Sequence, residues 1–171
     1  MNFAGLKQRA ADAWRGFARP SRLLILVGDG TCGRASGSPE VIDAARDETG
    51  KLSIGADIVG VGCLGLCYAE PLVEIRVPGG PSVLYGRVTA ARMRELVRSH
   101  AGAGSPAAAD ALALMDGSAT DGLPRFDDLP VMQGQVRVVT RHCGRIDPDS
   151  LEHYVANGGY AGLEKALSMP P

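Results

Sequence analysis

Residues 57–67 read Asp57-Ile58-Val59-Gly60-Val61-Gly62-Cys63-Leu64-Gly65-Leu66-Cys67. A β-branched apolar run of strand length ends in two cysteines that bracket a glycine. The C-x3-C spacing after a strand lets both thiols face one point, and Gly65 lets the loop backbone approach it closely. Upstream, Arg22-Leu23-Leu24-Ile25-Leu26-Val27 reads as a second, buried strand, followed by a Gly-rich loop to Gly37 that carries Cys32. If the two strands are neighbours in one sheet, both loops leave at the same edge. Cys32, Cys63 and Cys67 then converge, as soft iron or zinc centres need. The alternative is three inert cysteines, since free cysteine is commonly buried. Thiol–disulfide exchange is disfavoured, because that chemistry uses C-x-x-C at a helix start.

Working outward, Phe3, Leu6, Ala10, Ala13, Trp14 and Phe17 recur at helical spacing, so residues 3–17 form an amphipathic helix that Pro20 ends. Ser38 is the N-cap of a helix with Pro39 at its first position, running to about Glu48 and closed by Gly50. Leu72 to Val77 alternates, Pro78-Gly79-Gly80-Pro81 turns, and Val83 to Val88 returns, which is a hairpin. Thr89 caps a helix with Met93, Leu96 and Val97 on its apolar face. The order of elements implies an α/β protein with a mixed sheet and flanking helices. From Gly102 the composition shifts to Ala, Gly, Ser, Pro and Asp, a connector in which Ser105 and Pro106 start a short helix through Met115. Gln135 to Thr140 alternates like a strand, and Asp147 with Pro148 opens a helix through Ala156 that Asn157-Gly158-Gly159 stops. A last helix begins near Tyr160.

The 171 residues carry a net charge of -1, which gives no nucleic-acid footprint. No stretch approaches the roughly 20 apolar residues of a membrane span, and no signal-peptide apolar region is visible, so a cytoplasmic protein is expected. Gly28-Asp29-Gly30-Thr31-Cys32-Gly33 matches the dinucleotide G-x-G-x-x-G, with Asp47 near the place of a ribose-binding acid. That reading is disfavoured, because the helix is expected to open only at Ser38. His142 beside Cys143 suggests neither zinc nor Cys-His catalysis, since strand neighbours point to opposite faces. His100 and His153 read as solvated helix residues, and Glu70 and Asp147 as loop and cap residues.

The segment from Ile25 to Val88 resembles the thioredoxin-like [2Fe-2S] ferredoxin domain of the 24-kDa-type subunit of NADH:quinone oxidoreductase (complex I). The same domain is fused to the front of flavin subunits in NAD-linked hydrogenases and diaphorases. Gly30-Thr31-Cys32-Gly33 and Gly62-Cys63-Leu64-Gly65-Leu66-Cys67-Tyr68-Ala69-Glu70-Pro71 look like its two ligand loops. Gln135-Val136-Arg137-Val138-Val139, Cys143-Gly144-Arg145-Ile146-Asp147-Pro148 and Gly158-Gly159-Tyr160 resemble the opening of the 51-kDa-type, flavin-bearing subunit.

The resemblance implies an N-terminal helix over 1–20, a thioredoxin-like ferredoxin domain over 21–101, a linker over 102–130, and the truncated start of a flavin-subunit domain over 131–171. It implies a [2Fe-2S] cluster on Cys32, Cys63 and Cys67, with Val27 standing where the family has its first cysteine and Asp29 or another residue completing the set. The implied partners are the flavin and iron–sulfur subunits of an NADH-oxidising complex of quinone oxidoreductase, hydrogenase or formate dehydrogenase type. The family's FMN and NADH motifs lie beyond this sequence, so no FMN or NAD is expected on the chain alone, and no catalysis by it alone. The other readings are a clusterless domain docking a flavin subunit and a structural zinc module.

Overall fold

The computed structural model describes residues 2–101, 110–117 and 122–170. Among these residues six α-helices, α1 (Phe3–Ala18), α2 (Thr31–Ala35), α3 (Ser38–Lys51), α4 (Ala90–Ala101), α5 (Leu151–Ala156) and α6 (Ala161–Leu167), accompany five strands. The strands are β1 (Leu23–Gly28), β2 (Ala56–Val61), β3 (Val73–Arg76), β4 (Ser82–Tyr85) and β5 (Ala111–Leu114), in the order β2-β1-β3-β4-β5. β1 and β2 run parallel, with Ile25 opposite Ile58, and the remaining pairs are antiparallel. This is the mixed sheet the sequence pattern predicts.

β1 is buried along its whole length because both of its faces are covered. Leu23, Ile25 and Val27 join Val41, Ala44 and Ala45 of α3 and Met93, Leu96 and Val97 of α4 in the main core. Leu24 and Leu26 point to the other face and meet Phe17 and Trp14 of α1. The two-residue period of a strand thus sorts one apolar run into two cores. A third cluster, Leu64, Leu66, Leu72, Leu84, Phe126 and Met132 among its members, sits under the Cys63–Cys67 loop. The hairpin pairs Ile75 with Val83, and Thr89 caps α4 by accepting from the Arg92 N–H, both as read from sequence.

Several expectations are corrected. The loop after β1 contains a helix, α2, which opens inside the glycine motif. Ser38 is the first residue of α3 and Gly37, at φ 96°, takes the cap position. The Ser38 hydroxyl instead donates to the carboxylate of Asp29, which also holds Arg34. α3 continues through Gly50 to Lys51, because Gly50 keeps a helical backbone and the left-handed residue is Ser53. The expected helix from Ser105 is strand where it is described, as β5 pairs with β4; its first residues lie outside the described segments. Ala-Leu-Ala-Leu suits either structure locally, and the open edge of β4 decides for a strand.

Residues 135–140 are irregular, entering a turn at 139–140, rather than a strand, with Val136 86% and Val139 94% exposed. Alternation sorts side chains between faces but supplies no strand to pair with. The cap of α5 is Ser150, whose side chain accepts from the His153 N–H; Asp147 accepts from Asp149 in the turn before it. His100 and His153 are buried, at 7% and 6% exposure, rather than solvated.

Candidate metal centre

Because β1 and β2 are parallel neighbours, their C-terminal ends open on one edge of the sheet. From that edge the chain delivers three sulfurs. Cys32 is the second residue of α2, Cys63 follows β2, and Cys67 opens a 3-10 turn over Cys67–Ala69. Cys32 Sγ lies 3.3 Å from Cys67 Sγ, and Cys63 Sγ lies 3.6 Å from it. All three sulfurs fall within 4.8 Å of one another, the convergence that the spacing predicts. Gly65, at φ 98°, turns the loop and its N–H donates to Cys63 Sγ at 3.2 Å.

Two close approaches set this geometry. A methyl group at Gly33 would lie 1.9 Å from the carbonyl oxygen of Gly28, so α2 packs directly on the end of β1. A methyl group at Gly28 would lie 2.6 Å from Glu70 Oε2. The glycines of the dinucleotide-like motif therefore serve backbone packing that positions Cys32. The premise that the helix opens only at Ser38 fails, and the motif's work here is steric.

Burial pushes the Cys63 thiol up to about 12; the Gly65 N–H opposes this, and Cys67 and Glu70 add to it. Cys32 is raised first by its hydrogen bond with Cys67, then by burial. Crowded thiols resist ionising one beside another, and a cation at their centre reverses that preference. The donor set, three soft sulfurs, suits a thiolate-bound iron or zinc centre.

The other candidates lie apart from the trio. Val27 is fully buried in the core facing α3 and α4. Asp29 is engaged by Arg34 and Ser38. Cys143 is exposed, with its Cβ 3.7 Å from where a methyl group at Gly62 would sit, so its segment lies on the Cys63 loop. His142 Nε2 accepts from Arg141 at 2.8 Å. Glu70, read from sequence as a loop residue, is 7% exposed and sits against the site; its signal was a lone carboxylate in the apolar stretch after Cys67.

The chain is 38% identical over 107 residues to the NADP-reducing hydrogenase subunit HndB of Solidesulfovibrio fructosivorans, covering 61% of this chain and 85% of that protein. The chain belongs to the HndB family. A shorter match, 54% identity over 37 residues, joins this HndB-type chain to the NADP-reducing hydrogenase subunit HndC of the same organism, over 22% of the chain and 8% of HndC. Among solved structures it is similar to the thioredoxin-like [2Fe-2S] ferredoxin from Aquifex aeolicus. One such structure matches at TM-score 0.45 and 23% identity, covering 54% of this chain and 97% of that one. Another matches at TM-score 0.47 and 20% identity, covering 58% and 98%. No family model matches the chain. Among the described residues, no helix is long and apolar enough to cross a membrane.

Proposed function

We propose that this HndB-type chain is an electron-transfer module of an NAD(P)-linked hydrogenase complex, holding a [2Fe-2S] cluster on Cys32, Cys63 and Cys67. The observation that carries the reading is the gathering of three sulfurs at one sheet edge in a chain of this family. When bound, such a cluster passes single electrons at a potential set by its ligands, hydrogen bonds and exposure. The chain's own residues fit that task. Cys67 is exposed and brings one sulfur to the surface, while Cys32 and Cys63 are half-buried. The Gly65 N–H is already directed at Cys63 Sγ, where it stabilises negative charge on sulfur. Leu64 and Leu66, both buried, close the floor beneath the loop against water.

Residues 131–171 serve, on this reading, as the part that docks a flavin-bearing subunit. Val136, Val138 and Val139 stand out from it into solvent, and 37 residues of the chain match HndC. No FMN or NAD site is assigned to the chain.

A second reading is a structural zinc site. It is favoured by the sulfur spacing, since tetrahedral zinc with Zn–S near 2.3 Å sets its sulfurs about 3.8 Å apart, and two of the pairs here lie at 3.3 and 3.6 Å. Anaerobic purification with analysis of iron, acid-labile sulfide and zinc separates the readings. Iron and sulfide in equal amounts, lost in Cys63→Ser and kept in Cys143→Ser, support the cluster. Stoichiometric zinc without sulfide replaces it with the second reading, and a metal-free protein that also resists reconstitution ends both.

A further inference from the structure

A [2Fe-2S] cluster takes two terminal ligands on each iron, and the trio supplies three sulfurs. Glu70 is 7% exposed, and its two carboxylate oxygens are treated differently by the fold. Oε2 accepts the Leu72 N–H at 2.8 Å. Oε1 is buried and has no hydrogen-bond partner among the described residues. A buried carboxylate oxygen without a donor is unfavourable unless a proton or a cation meets it. The carboxylate lies against the end of β1, since a methyl group at Gly28 would come within 3.1 Å of Oε1. It also faces the turn that carries Cys32, since a methyl group at the neighbouring Gly33 would come within 3.4 Å of Oε2.

We infer that Glu70 Oε1 is the fourth terminal ligand of the centre, completing a three-sulfur, one-oxygen set with Cys32, Cys63 and Cys67. The inference rests on the cluster reading above. The carboxylate stands outside the set of mutually close donors, which contains the three sulfurs alone. A two-iron core takes two terminal ligands on each iron, so on binding it would draw one sulfur away from the other two and toward the carboxylate. Ferric iron is hard enough to take a carboxylate, and the bond gives the orphaned oxygen the cation it lacks. The rival donors are unable to help: Asp29 is held by Arg34 and Ser38, and Val27 has no donor atom.

The test is anaerobic reconstitution of the full chain with iron and sulfide, read by iron analysis and Mössbauer spectroscopy on isotopically enriched iron. The wild type should bind iron at two inequivalent sites. Glu70→Gln retains an acceptor for Leu72 but loses the charged donor, and its iron affinity should fall at least about tenfold, the smallest loss typical even of an outer-shell partner. Glu70→Cys should hold iron at two all-sulfur sites. Unchanged iron and an unchanged spectrum in Glu70→Gln would overturn the inference and leave the cluster reading standing. Should that variant fail to fold, equivalent irons in the wild-type spectrum overturn it on their own. A wild type that takes up no iron removes both.

Discussion

The hydroxyl of Tyr85, on β4, and Nε2 of His100, in the last turn of α4, lie 2.8 Å apart inside the core. Burial moves the two groups in opposite senses, pushing Tyr85 up to about 12 and His100 down to about 4 from its ordinary 6.5. Both are therefore neutral at neutral pH, and one proton joins strand to helix. A histidine whose folded-state value is lowered gives stability that is present above its unfolded value and lost as pH falls. The window here is from about 6.5 down to about 4. The full loss amounts to roughly 3 kcal/mol by linkage. Urea unfolding at successive pH values across that window should show it, and His100→Gln, which retains a polar partner for Tyr85, should remove this component of the slope. An identical slope in the variant would mean that His100 is not the titrating group.

Gly33 has no room for a side chain, because its Cβ would stand 1.9 Å from the Gly28 carbonyl oxygen. Gly33→Ala must push α2 off the end of β1, and Cys32 moves with it. The expected result is loss of metal uptake with the sheet core intact, since the residues of that core lie elsewhere. Metal analysis and far-UV circular dichroism of the same sample check the two halves. Normal metal content would show that α2 does not position Cys32.

Glu74 is 3% exposed on β3, and its Oε1 accepts from Arg76 at 2.6 Å and from the Ser82 hydroxyl. Arg76 also donates to the Phe17 carbonyl at 3.2 Å and stacks over the Phe17 ring, so it ties the sheet to the end of α1. Removing one member of a buried pair leaves the other charge without its partner. Arg76→Ala should therefore cost about 3–5 kcal/mol. The double variant Arg76→Ala with Glu74→Leu should recover much of that loss in thermal unfolding, as no charge is then stranded. If the single variant lost under about 1 kcal/mol, the pair would behave like a surface ion pair.

What was legible in the sequence followed from local pattern and spacing. The alternation of Leu72 to Val77 and the Pro-Gly-Gly-Pro turn made the hairpin, and the run from Leu23 to Val27 made its buried neighbour. Thiol convergence followed from placing Cys32, Cys63 and Cys67 after neighbouring parallel strands. The failures occurred where a partner elsewhere decides. Ala111–Leu114 is a strand because β4 offers an edge, and 135–140 is none because no strand among the described residues lies beside it. Glu70 lies in the loop before β3 as read, but its burial was not legible, because it depends on Gly28 and Gly33, far off in the chain. The histidines were misplaced for the same reason: His153 meets Phe17 and Trp14 across the fold.

That last contact carries a prediction about how the C-terminal segment is held. The ring of His153, on α5, lies with its centroid 4.3 Å from that of Phe17 and 5.6 Å from that of Trp14, both on α1. The charged links between the same regions, Lys7 to Glu164 and Arg9 to Glu152, join exposed or partly exposed side chains, where ion pairs contribute little. The aromatic cluster therefore dominates the clasp. Burial lowers His153, against the opposing charges of Asp147 and Glu152, so its neutral form is the one that packs. Acidification below the ordinary histidine range should charge the ring and loosen α5 from α1, whereas the clasp should be complete above it. Phe17→Ala should cost about 3 kcal/mol, the lower end for a buried phenylalanine. Hydrogen exchange read at α5 should quicken in that variant at pH 7, and in the wild type only on acidification. Lys7→Ala should leave the exchange of α5 unchanged, and a quickening equal to that of Phe17→Ala would shift the clasp from the aromatic rings to the charges.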